Sequence, residues 1–281
     1  MRRANEHGPL LVVGSTGKTG RHVVERLRRL GEDVRAVSRS TPVRFDWFDE
    51  ATWETAVSGA RAAYLVDAQN ERAGERMRAF APFAVERGVE RLVLLSARGW
   101  DDSGEPELLA TENALKDSGA AWTILRPTWF MQGFTEDETL SAPVRAGELR
   151  LPCAEGLEPF IDAEDIAEVA AAVLTSGGHQ ETTYALSGPR ALSMGEAVDT
   201  IAKATGRAIR YVPVSEEDYV AGLTADGLPE EQARFVAKLF GWIRDGGDAH
   251  LSDGVQRVLG RAPRDFTAFV GRAAAAGAWD D

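Results

Sequence analysis

Short apolar segments alternate with amphipathic helical patterns along the first 127 residues, and this alternation restricts the fold more than any other feature of the chain. Strand, helix and strand in this rhythm require parallel strands joined by right-handed crossovers, with helices covering both faces of the sheet. The sequence therefore predicts an α/β fold built on a doubly wound parallel sheet. The predicted strands are 9–13, 33–38, 62–66, 91–96 and 121–125, and the helices between them are 18–30, 50–57, 71–87 and 105–117.

The segment GSTGKTG, residues 14–20, lies between the first predicted strand and the first predicted helix. Its Gly17-Lys18-Thr19 matches the end of a triphosphate-binding loop, but such a loop requires a further glycine at position 12. That position is Val12, in the interior of the strand. The sequence therefore disfavours a triphosphate-binding protein, and measurable ATP affinity would be needed to restore that hypothesis.

The same segment does fit the loop of a Rossmann-type dinucleotide site, which has three glycines directly after a strand. Gly14 permits the tight turn, Gly17 lets the backbone approach the diphosphate, and Gly20 allows close packing of helix and strand. The positive end of the helix then faces the phosphates. The predicted hydrogen-bond donors to the phosphates are Thr16, Lys18 and Thr19.

Ser38-Arg39-Ser40 follows the second strand, where an NAD site carries an aspartate or glutamate for the ribose 2′-hydroxyl. A guanidinium at this point pairs instead with a 2′-phosphate, and Ser38 and Ser40 add donors. Lys18 supplies a second positive charge. The segment predicts NADP(H). The alternative is that Arg39 is an ordinary surface arginine that binds no ligand.

The pattern loosens after Arg126-Pro127. Ser193–Glu196 reads as a capping box, which predicts a helix that runs to Gly206. Other predicted elements are strands at 149–151, 183–186 and 209–214 and helices at 162–174, 215–223, 229–244 and 265–275. We expect an NAD(P)-binding Rossmann domain over residues 1–130 and a smaller, mostly helical substrate-binding lobe over 131–281. This second lobe is expected to pack on the first and to be interleaved with it.

Charge and composition exclude several classes of partner. A net charge of −12 disfavours nucleic acids and anionic membranes, because both need a basic surface. No segment is long and apolar enough to span a bilayer, and the lone Cys153 favours a reducing compartment, so we expect a cytoplasmic protein. The scattered histidines predict no metal site, and the oligomeric state stays open.

Several motifs, in their order along the chain, resemble one family. They are GSTGKTG (14–20), SRS (38–40), RFDWFDEATW (44–53), AAYLV (62–66), RLVLLSA (91–97), LRPTWFMQGF (125–134) and FIDAEDIAEVA (160–170). Together they resemble the NmrA-like branch of the atypical short-chain dehydrogenase/reductases. RFDW and RPTWFMQ are most similar to the ergot-alkaloid reductases, the agroclavine dehydrogenase and festuclavine synthase group, and their bacterial relatives.

The resemblance implies a role for residues at each strand end. Asp46 and Trp47 would lie near the adenine, and 66–68 against the adenosine half of the cofactor. Ser96 and Ala97 would face the nicotinamide, and 127–130 would cover it and begin the substrate wall. The implied cofactor contacts beyond the glycine loop and the 38–40 segment are thus Asp46, Trp47, Val66, Asp67, Ala68, Ser96, Ala97, Pro127 and Thr128.

Three positions depart from the family pattern. The wider superfamily has a Tyr-x-x-x-Lys pair on the helix before LRPTW, and here Leu108 and Glu112 stand in those places. This puts carbonyl reduction by the tyrosine mechanism in doubt. Asp67 replaces a residue that is often small, and Gly133 replaces a frequent asparagine, so the identity of the substrate is open.

An iminium acceptor suits a site without a tyrosine. Reducing a ketone creates an alkoxide that needs a proton, whereas hydride transfer to an iminium ion neutralises a charge already present. The predicted substrate contacts are aromatic, because aromatic faces attract cations: Trp100, Trp129, Phe130 and Phe134. Trp129 and Phe130 have the alternative of ordinary packing, and Trp100 that of a loop anchor.

Polar groups near the expected nicotinamide have modest predicted roles. Ser96 and Glu112 are weak catalytic candidates. Ser96 is expected to contact substrate or nicotinamide and to orient it rather than to act as an acid, and Glu112 is more commonly a solvated helix residue. Asp67, Glu112 and the Asp101-Asp102 pair are candidates for a negative field, although the last is also a typical solvated turn.

The sequence thus supports two hypotheses. The first is an NADPH-dependent reductase of a small or polycyclic organic molecule, acting on an imine, iminium, conjugated C=C or quinone in secondary metabolism. The second is an NADP(H)-binding redox sensor of the NmrA type that regulates a partner protein without turnover.

Overall fold

A computed structural model describes residues 8–100 and 106–280 of the chain. Its strands are β1 Leu10–Val13, β2 Val34–Val37, β3 Ala62–Val66, β4 Arg91–Leu95, β5 Ala121–Pro127, β6 Glu148–Leu151, β7 Leu157–Glu158, β8 Thr182–Leu186, β9 Leu192–Ser193 and β10 Arg210–Pro213. Its helices are α1 Gly20–Arg29, α2 Trp53–Val57, α3 Ala73–Glu86, α4 Ala110–Lys116, α5 Gly133–Glu136, α6 Glu138–Ala146, α7 Ala163–Thr175, α8 Met194–Thr205, α9 Glu216–Ala225, α10 Glu230–Arg244, α11 Gly254–Leu259 and α12 Phe266–Ala275. Short 3₁₀ turns at Glu50–Thr52 and Pro106–Leu109 precede α2 and α4.

A six-stranded parallel sheet in the order β2-β1-β3-β4-β5-β8 confirms the predicted doubly wound fold. Every residue of β1 is buried, as a strand covered on both faces requires. In α1 the buried side chains Val23, Val24 and Leu27 share one face, and arginines occupy the last turn. The carboxyl ends of β1 to β5 therefore meet at one edge of the sheet.

The described chain divides into two compact units. The first contains residues 1–127, 163–186 and 253–261, and so holds the whole six-stranded sheet with α1–α4, α7 and α11. The second contains 128–162, 187–252 and 262–281, with the remaining helices and two small sheets, β10-β6 and β7-β9. The predicted boundary at residue 130 stays a prediction.

Outside the large sheet, the sequence predicts some elements and misses others. The capping box at Ser193 and Glu196 is present and begins α8. The sequence did not predict α5, α6, α11, β7 and β9, because each is short and lacks a clear period. Among the described residues, no helix combines the length and apolar character that crossing a bilayer requires.

Candidate cofactor and active site

The glycine loop, residues 14–20, has a backbone that only glycine permits at two positions. Gly14 has φ +75°, and a Cβ there would lie 3.0 Å from Cβ of Val66. A Cβ on Gly20 would lie 2.2 Å from the carbonyl oxygen of Gly14, so the helix packs directly on the loop. Both observations match the predicted roles of a turn and a close helix–strand contact.

The outer face of the glycine loop is open for an anion. Thr16 and Gly17 are exposed and Lys18 is half-buried. A Cβ on Gly17 would lie 3.3 Å from the Gly14 carbonyl oxygen, on a stretch of backbone that a diphosphate must approach closely. The loop leads into the positive end of the ten-residue α1. This arrangement fits the diphosphate of a dinucleotide.

Thr19 corrects one predicted donor. Its hydroxyl is buried and accepts a hydrogen bond from Tyr64 of β3 at 2.9 Å. The Thr19 side chain therefore bonds the glycine loop to β3 and does not face a phosphate at the surface of the loop.

The end of β2 presents Arg39 to solvent. Ser38 is buried, and its Oγ lies 3.2 Å from both the backbone nitrogen and the Oγ of Ser40. These contacts form a tight turn that leaves Arg39 and Ser40 exposed. Within residues 8–100 and 106–280, no acceptor holds the Arg39 guanidinium, so it is available to an anionic ligand.

Trp47 and Asp46 have structural partners where the resemblance implied adenine contacts. Trp47 is 8% exposed, and its indole N–H donates to the Val66 carbonyl at 3.0 Å. Its ring packs edge-on against Phe45 and Phe80. The Trp47 side chain is therefore part of the core beneath the end of β3, which corrects the expectation of an adenine contact.

The Asp46 carboxylate organises its own turn. One oxygen accepts from the Phe48 backbone N–H at 3.0 Å, and the other pairs with Arg44 at 3.2 Å. Its backbone carbonyl also accepts from the Trp53 indole at 3.0 Å. The segment after β2 is thus held by its own hydrogen bonds.

The end of β3 carries an acid in a partly dry environment. Val66, Asp67 and Ala68 are half-buried. Asp67 accepts from the Gln69 backbone N–H at 2.9 Å and from the Thr111 hydroxyl at 3.2 Å. Burial raises the pKa of Asp67, and these two hydrogen bonds oppose that rise only in part.

Ser96, Glu112 and Arg126 form one hydrogen-bonded group, here called the strand-end cluster. Ser96 directly follows β4, and its backbone N–H bonds to the Leu125 carbonyl at 2.8 Å. Its hydroxyl donates to Glu112 at 2.6 Å. Arg126 of β5 donates to both oxygens of the same carboxylate, at 2.8 and 2.7 Å.

Glu112 is not a solvated helix residue, because its side chain is 0% exposed on the inner face of α4. Burial acts to raise the pKa of Glu112, but the hydrogen bonds from Arg126 and Ser96 and the charges of Arg126 and Lys116 lower it overall. Glu112 is therefore ionised, and Arg126 with Lys116 at 3.5 Å neutralises its charge. This corrects the prediction that Glu112 adds a negative field.

Other predicted cofactor contacts at β4 and β5 have mixed exposure. Ala97 is half-buried, and Pro127 is buried with its carbonyl accepting from the Arg98 backbone N–H at 3.1 Å. In the second unit Thr128 is buried, and its hydroxyl donates to the Pro159 carbonyl at 2.7 Å. The Thr128 hydroxyl is therefore committed within its own unit.

The predicted aromatic substrate contacts divide into two kinds. In the second unit Trp129 is half-buried and stacks on Phe240 at 5.1 Å, and Phe130 is half-buried. Phe134 is 0% exposed and packs edge-on against Phe160 and Phe266. Phe134 is thus a core residue without an open face, which corrects its assignment as a substrate contact.

Trp100 lies in the first unit, half-buried in the turn after β4. Asp101 and Asp102, which follow it, lie outside the described residues. Within the described ranges, no group of three or more histidine, cysteine or acidic side chains could hold a metal ion.

Sequence reasoning missed Arg126, Thr111 and Tyr64. A signal for Arg126 existed, since an arginine inside an apolar strand must find an anionic partner when the strand is buried. Tyr64 likewise sits in an apolar strand and needs a partner for its hydroxyl. Nothing in the sequence indicated Thr111, because its hydrogen-bond partner Asp67 lies 44 residues away in the chain.

The fold and glycine loop define a dinucleotide-binding protein of the Rossmann type. Residues 14–177 match the family model described as NAD(P)H-binding, and the chain belongs to that family. Both the family resemblance and the expectation of a nicotinamide cofactor are confirmed. Relatives named as an oxidoreductase and a dehydrogenase, given in the next paragraph, identify the protein as an NAD(P)-dependent oxidoreductase.

Relatives match the chain along nearly its full length. The oxidoreductase YesF of Bacillus subtilis is 33% identical over 278 residues, covering 96% of each chain. An agroclavine dehydrogenase of Claviceps fusiformis is 30% identical over 276 residues, covering 93% of this chain and 96% of its own. The NADPH-dependent quinone oxidoreductase QOR2 of Escherichia coli shares the fold, with a TM-score of 0.82 at 24% identity over 94% of this chain and 99% of its own.

Proposed function

We propose that the protein is an NADPH-dependent reductase of a small or polycyclic organic molecule in secondary metabolism. The acceptor is an imine, an iminium ion or a conjugated C=C bond, and a quinone is a near variant. One observation carries the proposal: relatives named as dehydrogenases match nearly the whole chain, while Leu108, in the turn before α4, and Glu112, in α4, occupy the positions that the resemblance gives to the superfamily pair.

The cofactor is held by the glycine loop and by Arg39. The loop backbone and the start of α1 bind the diphosphate, with Thr16 and Lys18 as side-chain donors. Arg39 and Ser40 are exposed at the end of β2 and bind the 2′-phosphate, which favours NADPH over NADH. When bound, the nicotinamide supplies the hydride.

The residues at the ends of β4 and β5 hold and orient the acceptor. Glu112 is ionised and bonded to Arg126, so it supplies no proton. An iminium ion or an acceptor protonated from solvent suits such a site, because hydride transfer leaves no buried alkoxide. Trp100, Trp129 and Phe130 remain predicted contacts for a flat, cationic substrate.

A panel of acceptors tests the proposal. Purified protein is mixed with NADPH and, in turn, with cyclic imines, N-alkyl iminium ions, enones and quinones, and loss of NADPH absorbance is followed. Turnover is expected with at least one imine, iminium or enone. Calorimetry with NADPH, NADH and ATP runs in parallel.

Two results would contradict the reductase. Tight NADP(H) binding without turnover of any acceptor favours the redox sensor that regulates a partner. Binding of ATP but of neither pyridine nucleotide would remove both hypotheses.

A further inference from the structure

Of the strand-end cluster, Ser96 and Arg126 keep some exposed surface, and Ser96 carries the hydroxyl. Glu112 has no exposed surface, whereas Ser96 keeps 9% of its surface open at the end of β4. Ligands of open parallel sheets bind at the carboxyl ends of strands. Ser96 therefore lies at the sheet edge where the acceptor of the proposed reaction binds.

The direction of one hydrogen bond decides what Ser96 offers to that space. A hydroxyl has one proton and two lone pairs. Ser96 gives its proton to Glu112 at 2.6 Å, and an ionised carboxylate can only accept. Within the described parts of the chain, no donor bonds to the Ser96 hydroxyl oxygen. Its lone pairs are thus free for a ligand, and its proton is not.

Arg126 makes this direction permanent. Its side-on pair with Glu112 places one guanidinium N–H on each carboxylate oxygen, so the carboxylate is fixed in position and charge. Lys116 Nζ lies 3.5 Å from Oε2 of Glu112 and adds to the same effect. Glu112 and Arg126 are positioning residues, because they act on the ligand through Ser96.

We propose that the Ser96 hydroxyl acts toward its ligand only as a hydrogen-bond acceptor, and that the site therefore selects substrates carrying a cationic N–H, such as protonated imines. The inference rests on the proposed function, because it narrows the substrate class of the same site. An acceptor-only hydroxyl stabilises an N–H donor and gives nothing to a carbonyl oxygen that develops negative charge.

The test compares two ligands that differ in one hydrogen-bond donor. Protonated dihydroisoquinoline and its N-methyl iminium ion carry the same charge and ring, but only the first has an N–H. Turnover is measured with NADPH. Binding of the reduced secondary ammonium and of its N,N-dimethyl quaternary analogue to the NADP⁺ complex is measured by calorimetry, which needs no turnover.

Wild-type protein is expected to prefer each N–H ligand. In Ser96→Ala this preference should fall by about ten- to a hundred-fold, the range for a hydrogen bond to a charged group. The N-methylated ligand should lose much less turnover or binding than the N–H ligand, so the effect appears in the ratio of the two. Reduction of a naphthoquinone should likewise lose much less than reduction of the N–H ligand, because Ser96 has no proton to give.

Glu112→Gln tests the positioning residues, since an amide no longer imposes one direction on the Ser96 hydroxyl. The N–H preference should fall toward that of Ser96→Ala. The matched control is Glu32→Gln, which neutralises another part-buried acid, 2.5 Å from Arg61 before β3, and should leave the preference unchanged. Circular dichroism establishes that each variant is folded.

Several outcomes overturn the inference. A loss of naphthoquinone reduction in Ser96→Ala as large as the loss with the N–H ligand would make Ser96 a donor. Equal losses for both ammonium ligands, no N–H preference in the wild type, or a loss confined to NADP(H) affinity would also exclude an N–H acceptor for substrate. A wild type that binds ammonium ligands with the N–H preference, but oxidises no NADPH, would contradict the proposed reductase and leave this inference standing.

Discussion

The glycine loop and the strand-end cluster lie at the same edge of one sheet but work by different physical means. The loop offers backbone shape: positive φ at Gly14 and no room for a Cβ at Gly20. The cluster offers a charge balance: an ionised Glu112 held by Arg126 and Ser96. Substitutions should therefore act through steric fit in the loop and through uncompensated charge in the cluster.

The largest expected effect comes from breaking the buried ion pair. Arg126→Met leaves Glu112, which has no exposed surface, without its main partner. Removing one partner of a buried pair costs about 3–5 kcal/mol in the free energy of unfolding. Urea denaturation followed by circular dichroism measures the loss.

Two further variants sharpen this result. The double variant Glu112→Leu/Arg126→Met should recover much of the stability, because no charge is then buried alone. Arg72→Met breaks an ion pair with Glu75 in which both side chains are about half exposed, and should change stability far less than Arg126→Met, because solvent screens the exposed pair. Similar losses in Arg126→Met and Arg72→Met would contradict the contrast.

Gly20→Ala tests the steric side of the comparison. The added Cβ meets the Gly14 carbonyl at 2.2 Å, so the loop or the start of α1 must shift. We expect a loss of about 1–3 kcal/mol of stability together with weaker NADPH binding. Thermal melts and calorimetry measure both quantities.

The control for this variant is Gly271→Ala in α12. A Cβ there meets no heavy atom within 4 Å, and alanine favours a helix over glycine by about 1 kcal/mol. It should be neutral or stabilising. Wild-type stability and NADPH affinity in Gly20→Ala would show that the loop tolerates a side chain and is not a tight cradle.

Arg39→Ala probes the exposed cation that we assign to cofactor choice. NADPH affinity should fall by about ten- to a hundred-fold while NADH affinity stays unchanged, since only NADPH carries the 2′-phosphate. Calorimetry with each nucleotide measures the ratio. Arg29→Ala, at the far end of α1, serves as the matched arginine control, and equal losses for both nucleotides in Arg39→Ala would remove its assigned role.

The smallest effects should appear in the pH dependence of stability. The pKa of Glu112 is lowered in the folded protein, so its contribution is present above its ordinary pKa near 4.5 and is lost as pH falls through the folded value. The pKa of Asp67 is raised, so its ionisation opposes folding as pH rises through the unfolded value. Ionisation of the two acids thus changes the free energy of unfolding in opposite directions as pH rises.

Thermal melts from acidic to neutral pH test these signs. Asp67→Asn should raise the melting temperature at neutral pH, and Glu112→Gln should lower it there and flatten the loss on acidification. A lower melting temperature for Asp67→Asn at neutral pH would show that its hydrogen bonds outweigh its burial.

The fold could be predicted because its signals are local. The apolar segments and glycines of the first unit have short, regular spacing, and each predicted strand of the sheet lies within a residue or two of its observed bounds. The candidate site was predicted less fully. Glu112 looked solvated on a helix, yet α4 turns it inward to Arg126, which lies in the next element along the chain, β5.

The sequence by itself determined the alternating strands and helices, the glycine loop and the family, because these depend on residues adjacent in the chain. Only the tertiary structure decided that Trp47 and Phe134 are core residues and that Ser96, Glu112 and Arg126 share hydrogen bonds. Burial and partner choice depend on side chains distant in sequence that folding brings together. Those contacts, in turn, set the charge and hydrogen-bond direction on which the proposed chemistry depends.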